Sequence, residues 1–232
     1  MATKKATEKK TVNVLKVEVA EADIVIKGTT PLIVHAWSDK AKRMMLDKMK
    51  GVAKASKHEI RVPWNDFIDS LHWLTPKPKH GKDDEEAKKN FDEAVKNGAR
   101  FGFSISGIKQ SMVLGAIRTG MDAKGTELRG TMFFKGLGEH SNFDFAEIVS
   151  KNPPVFREDT VNVGGMSKSA DLRYRAQFDE WEIPLKIRFN KNGKYSIEQL
   201  LATVNMGGFA VGIGEWRPDK DGQYGMFELK EQ

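Results

Sequence analysis

The stretch from Gly207 to Phe227 constrains the fold of this chain more than any other. Six glycines, Gly207, Gly208, Gly212, Gly214, Gly222 and Gly225, are interspersed there with Phe209, Trp216, Tyr224 and Phe227. Backbone without Cβ can take positive φ or lie directly against a ligand or a neighbouring segment, while Trp216 and Arg217 offer a flat ring and a charge. Two readings follow. The stretch is a β-hairpin whose glycines serve turns and bulges and whose aromatics enter the core, or it is a contact loop with Arg217 held extended at its mouth by Pro218.

The remaining elements, taken in order, predict an α+β fold. Val14, Val17 and Val19 followed by Ile24, Val25 and Ile26 read as one strand or two joined by a bend at Ala20 to Asp23, and Lys27 to Pro31 turns the chain into Leu32, Ile33 and Val34. Ser38 caps a helix over about Asp39 to Lys50. Its Met44, Met45 and Met49 pack into the core or, being adaptable, on a partner. Pro63 begins a second helix that turns Phe67, Ile68, Leu71, Trp73 and Leu74 inward. The charged segment Asp83 to Asn97, ended by Gly98, predicts an exposed inserted helix. A strand from Arg100 leads into a helix from Ile108 to Arg118, and strand-like pieces follow at Glu127 to Lys135, Phe143 to Val149 and Val155 to Gly164.

Trp181, Ile183, Leu185, Ile187 and Phe189 alternate with polar neighbours, the pattern of a half-buried strand. Ser196, with Gln199 behind it, caps a last helix from Ile197 to Asn205. This order gives an antiparallel sheet with two packed helices and large insertions, for which a ferredoxin/RRM-like split βαβ core is the simplest frame. Residues 1–12 predict a disordered basic tail, and 13–232 a single α+β domain with a helical insertion at about 38–98.

The net charge of +6 is unevenly spread. Lys4, Lys5, Lys9, Lys10 and Lys16 oppose only Glu8, and Lys40, Lys42, Arg43, Lys48, Lys50, Lys54 and Lys57 oppose only Asp39 and Asp47, so polyanions are the first partners to consider. Val163 to Arg175 reads as a polar loop in which Lys168, Arg173 and Arg175 surround Tyr174, a mixture suited to base stacking with phosphate contact. The absence of cysteine excludes disulfides, thiol nucleophiles and thiolate metal sites. The five histidines have no metal-ligand spacing, and neither Gly-x-x-x-x-Gly-Lys-Ser/Thr nor Gly-x-Ser-x-Gly occurs, so no metal and no cofactor is expected. No apolar run or leader points to a membrane, and a cytoplasmic protein is expected.

Three stretches carry a family resemblance. Ile105-Ser-Gly-Ile-Lys-Gln-Ser-Met-Val-Leu-Gly-Ala-Ile-Arg118 resembles the strand-to-helix signature of the RAMP superfamily, the RNA-binding backbone subunits of CRISPR effector complexes. Thr30-Pro31-Leu32 resembles that family's early turn, and Gly207 to Gly214 its closing loop. The layout also resembles small proteins of bacteriophage genomes. What the resemblance implies is a modified RRM-like fold that oligomerises along single-stranded DNA or RNA, with Lys109 and Arg118 near the nucleic-acid groove and Lys168 to Arg175 as a thumb-like contact. RNA-cleaving members use an aspartate in an early loop, which would make Asp39 the catalytic candidate, although it equally supports the start of a helix. The binding set expected is Lys109, Arg118, Lys168, Arg173, Tyr174, Arg175, Trp216 and Arg217. An endoribonuclease and a virion assembly protein are the alternatives.

Overall fold

A computed structural model describes residues 16–51, 60–163 and 169–231. The chain begins with β1 (Val19–Gly28), which runs without interruption through Ala20 to Asp23, and turns into β2 (Leu32–Val34). Three helices follow: α1 (Asp39–Met49), α2 (Pro63–Asp69) and, after the two-residue strand β3 (His72–Trp73), α3 (Asp84–Lys96). Next come β4 (Phe101–Ser104), α4 (Ile105–Arg118), α5 (Gly125–Thr131), β5 (Met132–Gly136) and β6 (Phe145–Glu147). The long strands β7 (Val155–Val163), β8 (Ser169–Phe178) and β9 (Glu182–Asn190) lead to α6 (Ile197–Ala210) and the closing β10 (Phe227–Leu229).

Six of these elements build the core. The sheet order β10-β1-β9-β5, with α4 preceding β5 and α6 preceding β10, is the antiparallel βαββαβ pattern of the ferredoxin-like class. Register runs from Val19 opposite Asn190 to Lys27 opposite Glu182 between β1 and β9, and Met132 faces Phe189 across β5 and β9. Strand alternation sends Ile24, Ile26, Met132, Phe134, Ile183, Leu185 and Ile187 to the helix side, where they pack with Ile108, Met112, Leu200 and Val204. The opposite face is a lattice of charge. Lys186 Nζ lies 2.7 Å from Asp23 and Arg188 Nε 3.0 Å from Glu21, so this part of the sheet is not an open aromatic platform.

Two smaller sheets, β2-β8-β7 and β3-β4-β6, are inserted on either side of α4 in sequence. Buried Ser70 ties the first to α2: its carbonyl accepts from Ala36 N at 2.8 Å and its hydroxyl from Ala176 N at 3.0 Å. Where α4 and α6 cross, a Cβ on Gly115 would lie 2.4 Å from Gly207 Cα. The Ser111 hydroxyl donates to the Gly207 carbonyl at 3.0 Å. Among the described residues no helix is long and apolar enough to cross a membrane.

Several expectations are corrected. Gly207 to Phe227 is not a hairpin: Gly207 and Gly208 lie in α6, which runs five residues past the predicted end, and β10 pairs with β1. Close packing, not turn formation, uses these two glycines, Gly207 against the α4 backbone at Met112 and Gly208 against Phe227 of β10. Within the expected loop Val163 to Arg175, the residues from Ser169 to Arg175 are strand, because β8 pairs with β7 there, and Arg173 and Arg175 find carboxylate partners. The first half of Glu127 to Lys135 is the helix α5. The α1 methionines do not enter the core, since Met44 and Met45 are half exposed and Met49 is 79% exposed.

Candidate nucleic-acid interface

The glycine loop after α6 is laced onto the turn between β1 and β2. Glu215 N donates to Ile33 O, Gly225 N to Pro31 O and Thr29 N to Met226 O, at 2.9, 2.8 and 2.9 Å. Gly214 has φ 78, and a Cβ there would sit 2.3 Å from the Ile33 carbonyl oxygen, so the approach requires glycine twice over. Trp216 takes φ 51, the left-handed region that a bulky residue seldom enters, and its carbonyl accepts from Tyr224 N at 2.9 Å. Its indole is partly exposed.

Arg118 and Arg217 converge on one carboxylate. Arg118 Nη2 donates to Asp219 Oδ1 at 2.5 Å, and Arg217 donates to Asp219 Oδ2 at 3.1 Å and to the Gly214 carbonyl at 2.8 Å. Burial works against ionisation of Asp219, but the hydrogen bond from Arg118 and the two guanidinium charges outweigh it and hold the carboxyl below its usual range. A cleft of about 130 Å³ lies alongside, lined by Phe103, Gln110, Leu114, Ile213, Arg217 and Asp219. Arg217 therefore positions the loop, and Arg118 keeps a half-exposed guanidinium at the cleft's rim.

The β8 residues meet a different environment from that expected. From Tyr174 to Ala176, β8 is covered on both sides, by α2 and by the glycine loop, so neighbours on opposite faces are both buried. Arg175 is 6% exposed, lies between Asp159 at 3.2 Å and Glu215 at 3.6 Å, and leaves its Nε without a partner. Tyr174, 9% exposed, packs on Phe156 at 5.5 Å between ring centroids and carries the Arg61 guanidinium at 5.1 Å. Burial first, and then Glu158, raises its phenol. An open guanidinium at Arg175 and an open stacking ring at Tyr174 do not match these positions. Arg173 reaches the surface beside Asp171, at 3.1 Å.

His35, at the end of β2, stands 3.8 Å from Glu215, and burial followed by the Arg175 charge lowers its imidazole. Arg61 donates to Asp66 at 2.5 Å and Asp171 at 3.0 Å. His35, Arg61 and Asp66, with Ser38, Asp69 and Arg173, line a small cavity of about 60 Å³. Sequence reasoning missed His35, Arg61 and Asp159. Only Asp159 left a signal, by alternating with Arg157 along a strand-like run.

Lys109 belongs to a separate place. Its ammonium donates to the Arg129 carbonyl at 2.7 Å and lies 4.4 Å from the Phe133 ring centroid. Burial, then Arg129, lowers it. Lys168 lies outside the described residues. Asp39 is the first residue of α1, behind the Ser38 cap that accepts from Ala41 N at 3.1 Å, and its side chain is outside the description. Among the described residues no group of three His, Asp or Glu is placed to hold a metal ion.

No protein-family model matches the sequence, and no curated protein matches it. Solved structures do. A chain of the type III-B Cmr-beta complex bound to cognate target RNA superposes with a TM-score of 0.50 at 11% identity, over 92% of this chain and 59% of that one. Cmr6 from Pyrococcus furiosus matches at 10% identity and a TM-score of 0.33, over 93% of this chain and 100% of that one. This chain thus spans little more than half of the Cmr-beta chain, and at such identity the likeness is one of fold alone.

Proposed function

We propose that the protein binds single-stranded nucleic acid on the face where the glycine loop, the turn between β1 and β2, and β8 meet, and that copies assemble along the strand. The observation that carries this reading is the convergence itself. The early turn and the glycine loop, separated by about 180 residues and each part of the RAMP resemblance, are joined by the Glu215 to Ile33 and Gly225 to Pro31 hydrogen bonds. Arg173, Trp216 and the rim guanidinium of Arg118 surround that junction as cations and a ring, the chemistry that holds a strand by phosphate contact and stacking. The Cmr-beta chain of like fold was solved with target RNA, which favours RNA over DNA.

The test is fluorescence anisotropy of labelled single-stranded RNA, single-stranded DNA and duplex DNA titrated at several salt concentrations, with mass photometry on the same mixtures. Single-strand binding with a negative salt slope and oligomers that grow on the strand is expected. Arg173→Ala should reduce the slope by about 0.7, one phosphate contact on a single strand. Trp216→Ala should weaken affinity about tenfold with the slope unchanged, as loss of one stacked base would. Absence of single-strand binding at low salt sinks the proposal.

A further inference from the structure

One helix turns its side chains to solvent along its length. Every side chain of α1 from Ala41 to Met49 is exposed, including Met44, Met45 and Leu46 at roughly half and Met49 at 79%. Trp37, just ahead of the Ser38 cap, is 61% exposed, the most open of the five tryptophans. An apolar surface of this extent on an otherwise charged helix marks an interaction site.

The arrangement of residues around α1 identifies what it contacts. With about 3.6 residues per turn, Ala41, Met45 and Met49 form one row with Leu46 beside it. Lys48 flanks one edge of that stripe, Arg43 and Lys50 flank the other, and Lys42 falls within it between Met49 and Leu46. Asp47 lies on the far side. A partner suited to this face has apolar surfaces a few ångströms wide, bordered by negative charge on both sides. A second copy of α1 would set cation against cation, and the exposed acids of α3 alternate with Lys88, Lys89 and Lys96 without an apolar groove.

We infer that α1 and Trp37 form a second grip on the nucleic-acid strand, resting on the function proposed above. Arg43, Lys48 and Lys50 contact successive phosphates, the Met45 and Met49 side chains pack on base faces, and Trp37 stacks one base at the entrance to the helix. The Ser38 segment lines the same small cavity as Arg173, so the two grips are continuous along one face.

The experiment compares the whole chain with three variants: Arg43→Glu with Lys48→Glu and Lys50→Glu, Met45→Ser with Met49→Ser, and Trp37→Ala. All these positions are exposed, and urea unfolding with circular dichroism checks that the midpoints are unchanged. Binding of fluorescein-labelled U30 and dT30 is read by anisotropy across a salt series, and tryptophan quenching is followed in parallel.

Losing three single-strand phosphate contacts should lower the salt slope by about 2 and weaken binding about a hundredfold at 0.1 M salt. Trp37→Ala should weaken it about tenfold at unchanged slope and remove the share of the quenching that comes from Trp37, leaving that of Trp216. The methionine pair should act in the same direction. Wild-type binding that survives all three changes overturns the role of α1 and leaves the proposed function standing, whereas failure of the wild type to bind removes both. Self-association without nucleic acid that the methionine pair abolishes, with strand affinity unchanged, assigns α1 to a protein partner and overturns the inference.

Discussion

Gly115→Ala destabilises the protein by about 2–3 kcal/mol, while the same change at Gly130 stabilises it by up to about 1 kcal/mol; this is the outcome expected in urea unfolding at constant m-value. Both glycines are helical, and in each case alanine gains about 1 kcal/mol of helix propensity. The surroundings decide the sign. A Cβ at Gly130 meets nothing within 4 Å, whereas one at Gly115 would press on backbone, Gly207 Cα and N both at 2.4 Å and Met206 O at 2.5 Å. No rotamer relieves a backbone clash, so α4 and α6 must separate and lose contact over the core. Gly207→Ala meets Met112 Cα at 2.7 Å from the other side and should cost a similar amount. The double variant should cost less than the sum, because one displacement serves both methyls. Equal midpoints for Gly115→Ala and Gly130→Ala would show that the helices do not touch here.

Asp159→Ala should be the most damaging single change on the β7–β8 hairpin, about 3–5 kcal/mol. Asp159 is 8% exposed, and its two oxygens take Arg157 Nε at 2.8 Å and Arg175 Nη1 at 3.2 Å. Removing the carboxylate leaves Arg175 buried with a distant Glu215 and an already orphaned Nε, and an uncompensated buried charge is expensive. Arg175→Met is expected to cost much less, because Asp159 keeps Arg157 and the methionine fills a similar volume. The measurement is the pair of urea midpoints. A larger loss for Arg175→Met than for Asp159→Ala would contradict the assignment of Arg175 as a structural residue and return it to the binding surface.

The contrast between β9 and β8 explains what the sequence made legible. Strand β9 has one buried face, so Ile183, Leu185 and Ile187 announce it through alternation. The caps of α1 and α6 were legible for a similar reason, since Ser38, Ser196 and Gln199 act within three residues of what they cap. Strand β8 is covered on both faces around Tyr174 to Ala176, and one cover is made through Glu215, forty residues later. Its arginines therefore looked like solvent-facing cations.

The binding set divided along the same line. Arg217 and Arg118 were correctly noticed as charges, but their joint attachment to Asp219 depends on a crossing of α4 and the glycine loop that no local pattern reports. Gly207 and Gly208 are visible as glycines, while their use depends on distant partners, Gly207 on the α4 backbone by Gly115, more than ninety residues away, and Gly208 on Phe227 of β10.

The core order β10-β1-β9-β5 also governs how the chain reaches its structure. β1 is the first core strand to leave the ribosome, and both of its neighbours come late, β9 at Glu182–Asn190 and β10 at Phe227–Leu229. With so large a sequence separation, the entropy of closing the intervening chain must be met before any β1 pairing is gained, so assembly of the central sheet is slow. The β7–β8 hairpin has no such delay. During synthesis Ile24 and Ile26 therefore remain an unpaired apolar edge for some 150 residues, the window in which an exposed strand of this kind is open to aggregation.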